Sequence, residues 1–445
     1  MPLHPSPPSG PSSLAESLRY NLHTLRAAPF AEISGALGDL GTFLPLTLAL
    51  AAHGAISLGP TLFFSGLFNF LTGAIFGLPL PVQPMKSLAA AALAQPHHPA
   101  PDLAAAGLLL AATLFVLAAS HLVPRAARAV PVPVVKGIQL SAGLGLASGA
   151  ASLLHALSWT QPLWDNRLCA LAVFLGVLAT HGRRAPLALV VFGAAAAAAV
   201  THAPTPLLPG LWTPQLLRPR ASWRALDMAL GQLPLTLLNS VVAVDALSGE
   251  AVPRRPRPGV GPLAWSVAGM NAVGPWVGCM PVCHGSGGLA AQVRFGARSG
   301  AAVMVLGAMK MVLGLVWGES LGGVMAAFPR SVLGVMVVAA GVELAGAGMS
   351  LNHGATDLVE VAANGECVVR AVGEEERRQR WTVMMMTVGA GMACKSTAVG
   401  FAAGMLCDAS YRVVPRVLEW WDRQPHIGNW CAQTLWRSPE RQPLL

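Results

Sequence analysis

The chain is a succession of long apolar runs separated by short polar stretches. Windows of about 19 residues predict helical spans over 31–52, 56–78, 88–95, 103–123, 130–153, 167–181 and 185–203. A second set is predicted over 226–249, 260–280, 285–293, 299–318, 323–348, 381–393 and 396–414. The third segment of each set, 88–95 and 285–293, is too short to cross a hydrocarbon core, which takes about 20 helical residues. The expected fold is therefore an all-α polytopic membrane protein of about fourteen spans, seven followed by seven. On this pattern residues 1–29 form an N-terminal tail, 30–205 a first repeat, 206–225 a linker, 226–414 a second repeat and 415–445 a C-terminal tail. The tail opens on the Pro/Ser-rich MPLHPSPPSGPSS and is expected to be disordered and cytoplasmic. No cleavable signal peptide is expected, because the first long apolar run begins near residue 30.

The two sets echo one another. PVQPMKSLAA begins at Pro81, and PVCHGSGGLAA begins two hundred residues later at Pro281. Upstream, ALGDL at Ala36–Leu40 matches ALGQL at Ala229–Leu233, and LPLTL occurs at both Leu44–Leu48 and Leu233–Leu237. The order is the same in both halves. An odd number of spans per repeat inserts the second repeat upside down relative to the first, the inverted-repeat plan of secondary transporters. Two half-helices then meet near the bilayer midplane.

Composition agrees with this plan. Of the 445 residues 54% are apolar and only 11% charged, against about 25% charged in a soluble domain, and a chain this apolar is not disordered. The formal charge of +9 does not indicate nucleic acid, because the arginines cluster in alternate loops, the positive-inside pattern. These clusters are Arg125, Arg128 and Lys136; Arg183 and Arg184; Arg254, Arg255 and Arg257; Arg294 and Arg298; Arg370, Arg377, Arg378 and Arg380; and Arg412 and Arg416. They put both termini in the cytoplasm. Arg218, Arg220 and Arg224, in the linker, fall on the opposite side and break the pattern. The composition suits a plasma membrane and an internal vacuolar or organellar membrane equally. Seven cysteines without a CxxC pair imply no disulfide framework, metal site or cofactor.

The echoed segments carry the candidate chemistry. Irregular backbone at membrane depth is tolerated only inside protein or along a watery cavity. The unpaired N–H groups at a half-helix N-terminus, with about half a positive charge from the helix dipole, attract anions. Gln83 adds an amide there, Lys86 a full charge and Ser87 a hydroxyl; in the second segment His284 adds a ring donor, and Gly285, Ser286 and Gly287 let backbone amides approach a ligand. A lysine at membrane depth is a functional candidate by default. Gln232, Thr236, Asn239 and Ser240 mark a polar stripe on the eighth span. Glu32 and Asp39 are seven residues apart on the first span, hence on one helix face, and are candidates for proton coupling. Lys310, Glu343 and Asp408 are expected to be paired within the bundle, or, for Asp408, to sit near a helix end. CHGSGG lacks the G-x-S-x-G spacing of a hydrolase nucleophile, so an enzyme is not indicated.

AEISGALGDLGTFLPL at Ala31–Leu46, PVQPMKS, QLPLTLLNSVVAV at Gln232–Val244 and MPVCHGSGGLAAQVRFGARSG at Met280–Gly300 resemble the molybdate transporter family of plants, algae and fungi. That family is a branch of the sulfate permease superfamily without the cytoplasmic STAS domain. The likeness runs from about Glu32 to Gly348, continues more weakly through KSTAVGFAAGM, and leaves a tail too short for a STAS domain. The chain departs from the family in its Pro253–Pro258 loop, in Asp245 and in its Ala/Gly-rich spans.

The resemblance implies a core domain moving against a gate domain, with the third and tenth helices aimed at substrate and the first and eighth lining it. It implies that molybdate, a tetrahedral dianion, is carried by alternating access between two half-helix N-termini and Lys86, with tungstate or sulfate as competitors. A homodimer within the lipid bilayer is consistent with the superfamily. The alternatives are a transporter of sulfate or another oxyanion, a nucleobase permease, and a sensor that binds the anion without transporting it.

Overall fold

The computed structural model describes residues 13–37, 40–95, 99–179, 187–204, 209–252, 255–318, 320–352, 356–361 and 367–422. Asp39, Arg183, Arg184 and Arg254 lie outside the described residues. The first half comprises α1 (Leu14–Ala27), α2 (Pro29–Leu37), α3 (Leu40–Ala52), α4 (Leu58–Phe76), strand β1 (Gln83–Pro84), α5 (Lys86–Leu93), α6 (Ala100–Ala119), α7 (Val123–Ala129), α8 (Val132–His155), α9 (Arg167–Ala179) and α10 (Leu187–His202). The second comprises α11 (Trp223–Leu235), a π-helical segment (Thr236–Val242), α12 (Ala243–Ala251), α13 (Val260–Val273), β2 (Val282–Cys283), α14 (Ser286–Arg294), α15 (Ala301–Trp317), α16 (Leu321–Ala326), α17 (Arg330–Ala345), β3 (Val359–Val361), β4 (Cys367–Val369), α18 (Glu374–Ala393) and α19 (Thr397–Asp422). The fold is that of an all-α, seven-plus-seven inverted-repeat membrane transporter.

Among the described residues, Leu58–Phe76, Ala100–Ala119, Val132–His155 and Trp223–Gly249 are long and apolar enough to cross a membrane, and shorter apolar helices stand beside them. Their outward faces carry exposed apolar side chains such as Phe115, Leu175, Val312 and Leu406, as lipid-facing helices do.

Two sequence expectations need correction. Residues 14–27, placed in a disordered tail, form α1, because Ser13 and Glu16 make a capping box that satisfies the first turn. Lys136, grouped with loop arginines, lies within α8.

Packing follows two groups. In one, α4 pairs with α15, α6 with α13, and α11 with α6; in the other, α8 pairs with α17 and α18, and α18 with α19. Glycines let the central pairs approach to backbone distance. A Cβ on Gly66 would lie 2.6 Å from the Gly307 carbonyl oxygen, and one on Gly73 would lie 2.4 Å from that of Gly300. Gly143 and Gly341 make the same approach between α8 and α17. Such small-residue contacts are how helices pack where lipid removes the hydrophobic drive between them.

The linker arginine that broke the charge pattern has a structural partner. Arg220 forks onto Asp102 through contacts of 2.9 and 2.7 Å, and Ser222 donates to the same carboxylate at 2.9 Å. Asp102 is fully buried at the start of α6. Removing one partner of such a pair strands the other charge. Arg220→Ala should therefore lower the melting temperature of the purified protein, and adding Asp102→Asn should restore part of the loss; a double variant less stable than R220A would count against this role.

Candidate functional site

The two Pro-Val echoes cross. β1 and β2 form a two-stranded antiparallel ladder with Gln83 opposite Cys283 and Pro84 opposite Val282. Gln83 and Cys283 are also equivalent positions in the echoed sequences, so the pseudo-two-fold axis relating the halves runs through this pair. The contacts around it are duplicated. The Met85 N–H donates to the Pro281 carbonyl at 3.1 Å, and His284 Nδ1 donates to the Pro81 carbonyl at 3.0 Å. The Val82 N–H donates to Asn69 Oδ1 and the Val282 N–H to Asn271 Oδ1, each at 2.9 Å. Gly77 and Gly278 turn the chain into the two crossing segments with φ of 62° and 73°, a backbone that favours glycine.

Beyond the crossing the chain enters α5 and α14, and neither helix carries a side-chain cap of its own. The Ser87 N–H instead donates to Gln232 Oε1 at 3.2 Å, and Gln232 Nε2 in turn donates to Thr236 Oγ1 at 3.1 Å. Ser286, at the start of α14, donates through Oγ to Asn239 Oδ1 at 2.6 Å. Gln232 and Asn239 reach these helix ends from a segment that Pro234 and the π-helical turns pull away from α geometry; π segments commonly occur at functional sites.

These groups enclose a cavity of about 250 Å³, lined by Gln83, Lys86, Gln232, Asn239, Gly285, Ser286 and Gly287 among the expected residues. It has the volume of roughly eight water molecules. No carboxylate is among its lining residues.

Ser87 contributes its backbone N–H, as above, and does not line the cavity. His284 is fully buried with its ring spent on structure, Nδ1 on Pro81 and Nε2 2.9 Å from the Ser266 hydroxyl. Glu32 belongs to a separate cavity beside α1 and accepts from the Arg298 N–H at 3.2 Å. Lys310 lies over the Phe43 ring at 3.5 Å, a cation–π contact. Asp408 pairs with Arg412 at 2.7 Å on α19.

Sequence reasoning missed Lys136 and Gln139, which bring α8 into the lining, together with Cys283, while Ser240 of the polar stripe also lines the cavity. For Lys136 a signal was present: it is one of only four lysines and falls inside an apolar run. It also missed Asn69 and Asn271, which hold the crossing segments through Val82 and Val282, 13 and 11 residues further along the chain.

A wider cavity of about 620 Å³ shares α8 and the π segment with this site, lined there by Val132 and Pro133 and by Leu238 and Val242. Its lining carries charges of both signs: Arg128, Asp357, Glu376, Arg380, Asp408 and Arg412. Arg380 is paired with Asp357, and Arg370 beside Glu376 holds that carboxyl below its ordinary value. On α8 one helical turn, about 5.4 Å, separates Val132 and Pro133 from Lys136, whereas on the π segment Leu238 of the wider cavity is next to Asn239 of the site.

Residues 31–146 and 224–344 match the family model described as "Molybdate transporter of MFS superfamily". Molybdate transporter 1 of Arabidopsis thaliana is 38% identical over 72% of this chain and 80% of its own length. Molybdate transporter 2 of the same plant is 34% identical over 84% and 86% respectively. Molybdate transporter 1 of Chlamydomonas reinhardtii is 32% identical over 85% and 90%. Among solved structures, the transmembrane domain of the cyanobacterial bicarbonate transporter BicA superposes with a TM-score of 0.59 at 14% identity, covering 84% of this chain and 97% of that one. SLC26A9 superposes with a TM-score of 0.60 at 14% identity, covering 94% and 73%. These two share the fold. With a family model matched on both halves and relatives above 30% identity over most of their lengths, the chain belongs to the molybdate transporter family.

Proposed function

We propose that this chain carries molybdate across a membrane by alternating access, holding the anion between the N-termini of α5 and α14 with Lys86 as counter-charge. The observation that carries this is the crossing itself. It aims two helix N-termini and a lysine at one cavity whose lining residues include no carboxylate, which is the electrostatics of an anion site. The group containing α4, α6, α13 and α15 acts as core, and the group containing α8, α17, α18 and α19 as gate. Basic clusters in alternate loops support cytoplasmic termini. Tungstate, with the same charge and tetrahedral shape, competes for the site.

Purified protein in liposomes should take up labelled molybdate at trace concentration, with uptake blocked by excess tungstate and little affected by sulfate. Equal competition by sulfate would replace molybdate with oxyanions in general as the substrate. Binding without uptake would remove transport.

A further inference from the structure

We propose that Lys136 is a second substrate-binding cation, delivered from the gate side, and that it makes the site select doubly charged over singly charged oxyanions. This inference rests on the anion-transport function proposed above. Lys136 lines the same cavity as Lys86 but stands on α8, which packs on α17, α18 and α19, whereas Lys86 opens α5 at the crossing. Its Nζ lies 2.8 Å from Ser350 Oγ, on the segment that follows α17. That hydroxyl is a neutral partner; the carboxylate whose charge reaches Lys136 is Asp357, which is itself paired with Arg380 and is not among the residues lining the cavity. The cavity thus brings two cations together with no carboxylate among its lining residues.

Charge matching follows. A tetrahedral dianion satisfies both lysines, whereas a monoanion of the same shape leaves one of the two cavity cations unmatched, which is unfavourable. Gln139, one turn beyond Lys136 on the same helix face, adds an amide to this side of the cavity.

Perrhenate is the probe, being tetrahedral and close to molybdate in size but singly charged. Binding of molybdate and of perrhenate to the purified full-length protein is measured by calorimetry for wild type, K136Q and K136R. Wild type is expected to prefer molybdate. K136Q should weaken molybdate by about tenfold or more, the change that losing one charged hydrogen bond brings, and leave perrhenate nearly unchanged, so that the preference collapses; K136R should keep it. Equal weakening of both anions by K136Q would make Lys136 a structural residue and overturn the proposal, as would an unchanged preference. If K136Q does not fold, Ser350→Ala decides, since releasing the ammonium from its hydroxyl must alter the ratio of the two affinities, and an unaltered ratio overturns the proposal. Wild type that binds neither anion would overturn the transport function as well. Wild type that binds molybdate while K136Q keeps its charge preference would overturn only the role of Lys136.

Discussion

A K86Q variant is expected to fold as the parent chain does and to lose molybdate uptake. Lys86 is the first residue of α5, where the dipole already presents positive partial charge, so a cation there costs the helix about 0.3–1 kcal/mol. Glutamine removes that repulsion, and the melting temperature should hold or rise. Uptake should fall by about ten- to a hundredfold, the range for losing one charge-assisted hydrogen bond to a charged ligand, and K86R should retain part of it. A side chain that disfavours its own helix is explained if, as proposed, it holds the anion. The pair of measurements, stability up or level and uptake down, separates this from a structural role. Uptake by K86Q equal to wild type, in protein of equal stability, would remove Lys86 from the site.

Much of this architecture was legible because bilayer thickness imposes a length on each span and exposes the two segments that fall short of it. The expected half-helices at 88–95 and 285–293 became α5 at Lys86–Leu93 and α14 at Ser286–Arg294, since their boundaries are written in Pro, Gly and the onset of apolar residues. The echo of PVQPMKS and PVCHGSGG also located the crossing, although not the pairing of Gln83 with Cys283 that defines it. What sequence could not show was the direction of each side chain. His284 and Gln83 stand one residue apart in the aligned echoes, yet the first is consumed by Pro81 and Ser266 while the second lines the cavity. Lys136 was misplaced for a related reason. Its neighbours Arg125 and Arg128 made it look like one more loop charge, and only the packing of α8 beside α5 brings it to the site. The helix at Leu14–Ala27 was lost to its Pro/Ser-rich prefix, although the Ser13 and Glu16 capping pair was there to be read.

Gly285 and Gly287 provide the second large effect, and they differ in a way composition cannot suggest. A Cβ on Gly285 would stand 2.1 Å from Gln83 Oε1, whereas one on Gly287 would meet nothing within 4 Å. Gly285→Ala should therefore drive the buried Gln83 amide out of its position in the cavity. The amide is the far end of a flexible chain, so folding should survive while uptake falls by about tenfold or more, as displaced binding groups do when geometry slips by about 1 Å. Gly287→Ala replaces glycine in the first turn of α14 and should stabilise the helix by up to about 1 kcal/mol, with a smaller loss of uptake, since its methyl group enters open space. A double-mutant cycle tests the cause. If G285A acts by displacing Gln83, then Q83A with G285A should be no worse than Q83A alone, because contacting residues are not additive. Additive losses would mean that Gly285 serves the anion directly, through backbone approach, and that the contact with Gln83 is incidental.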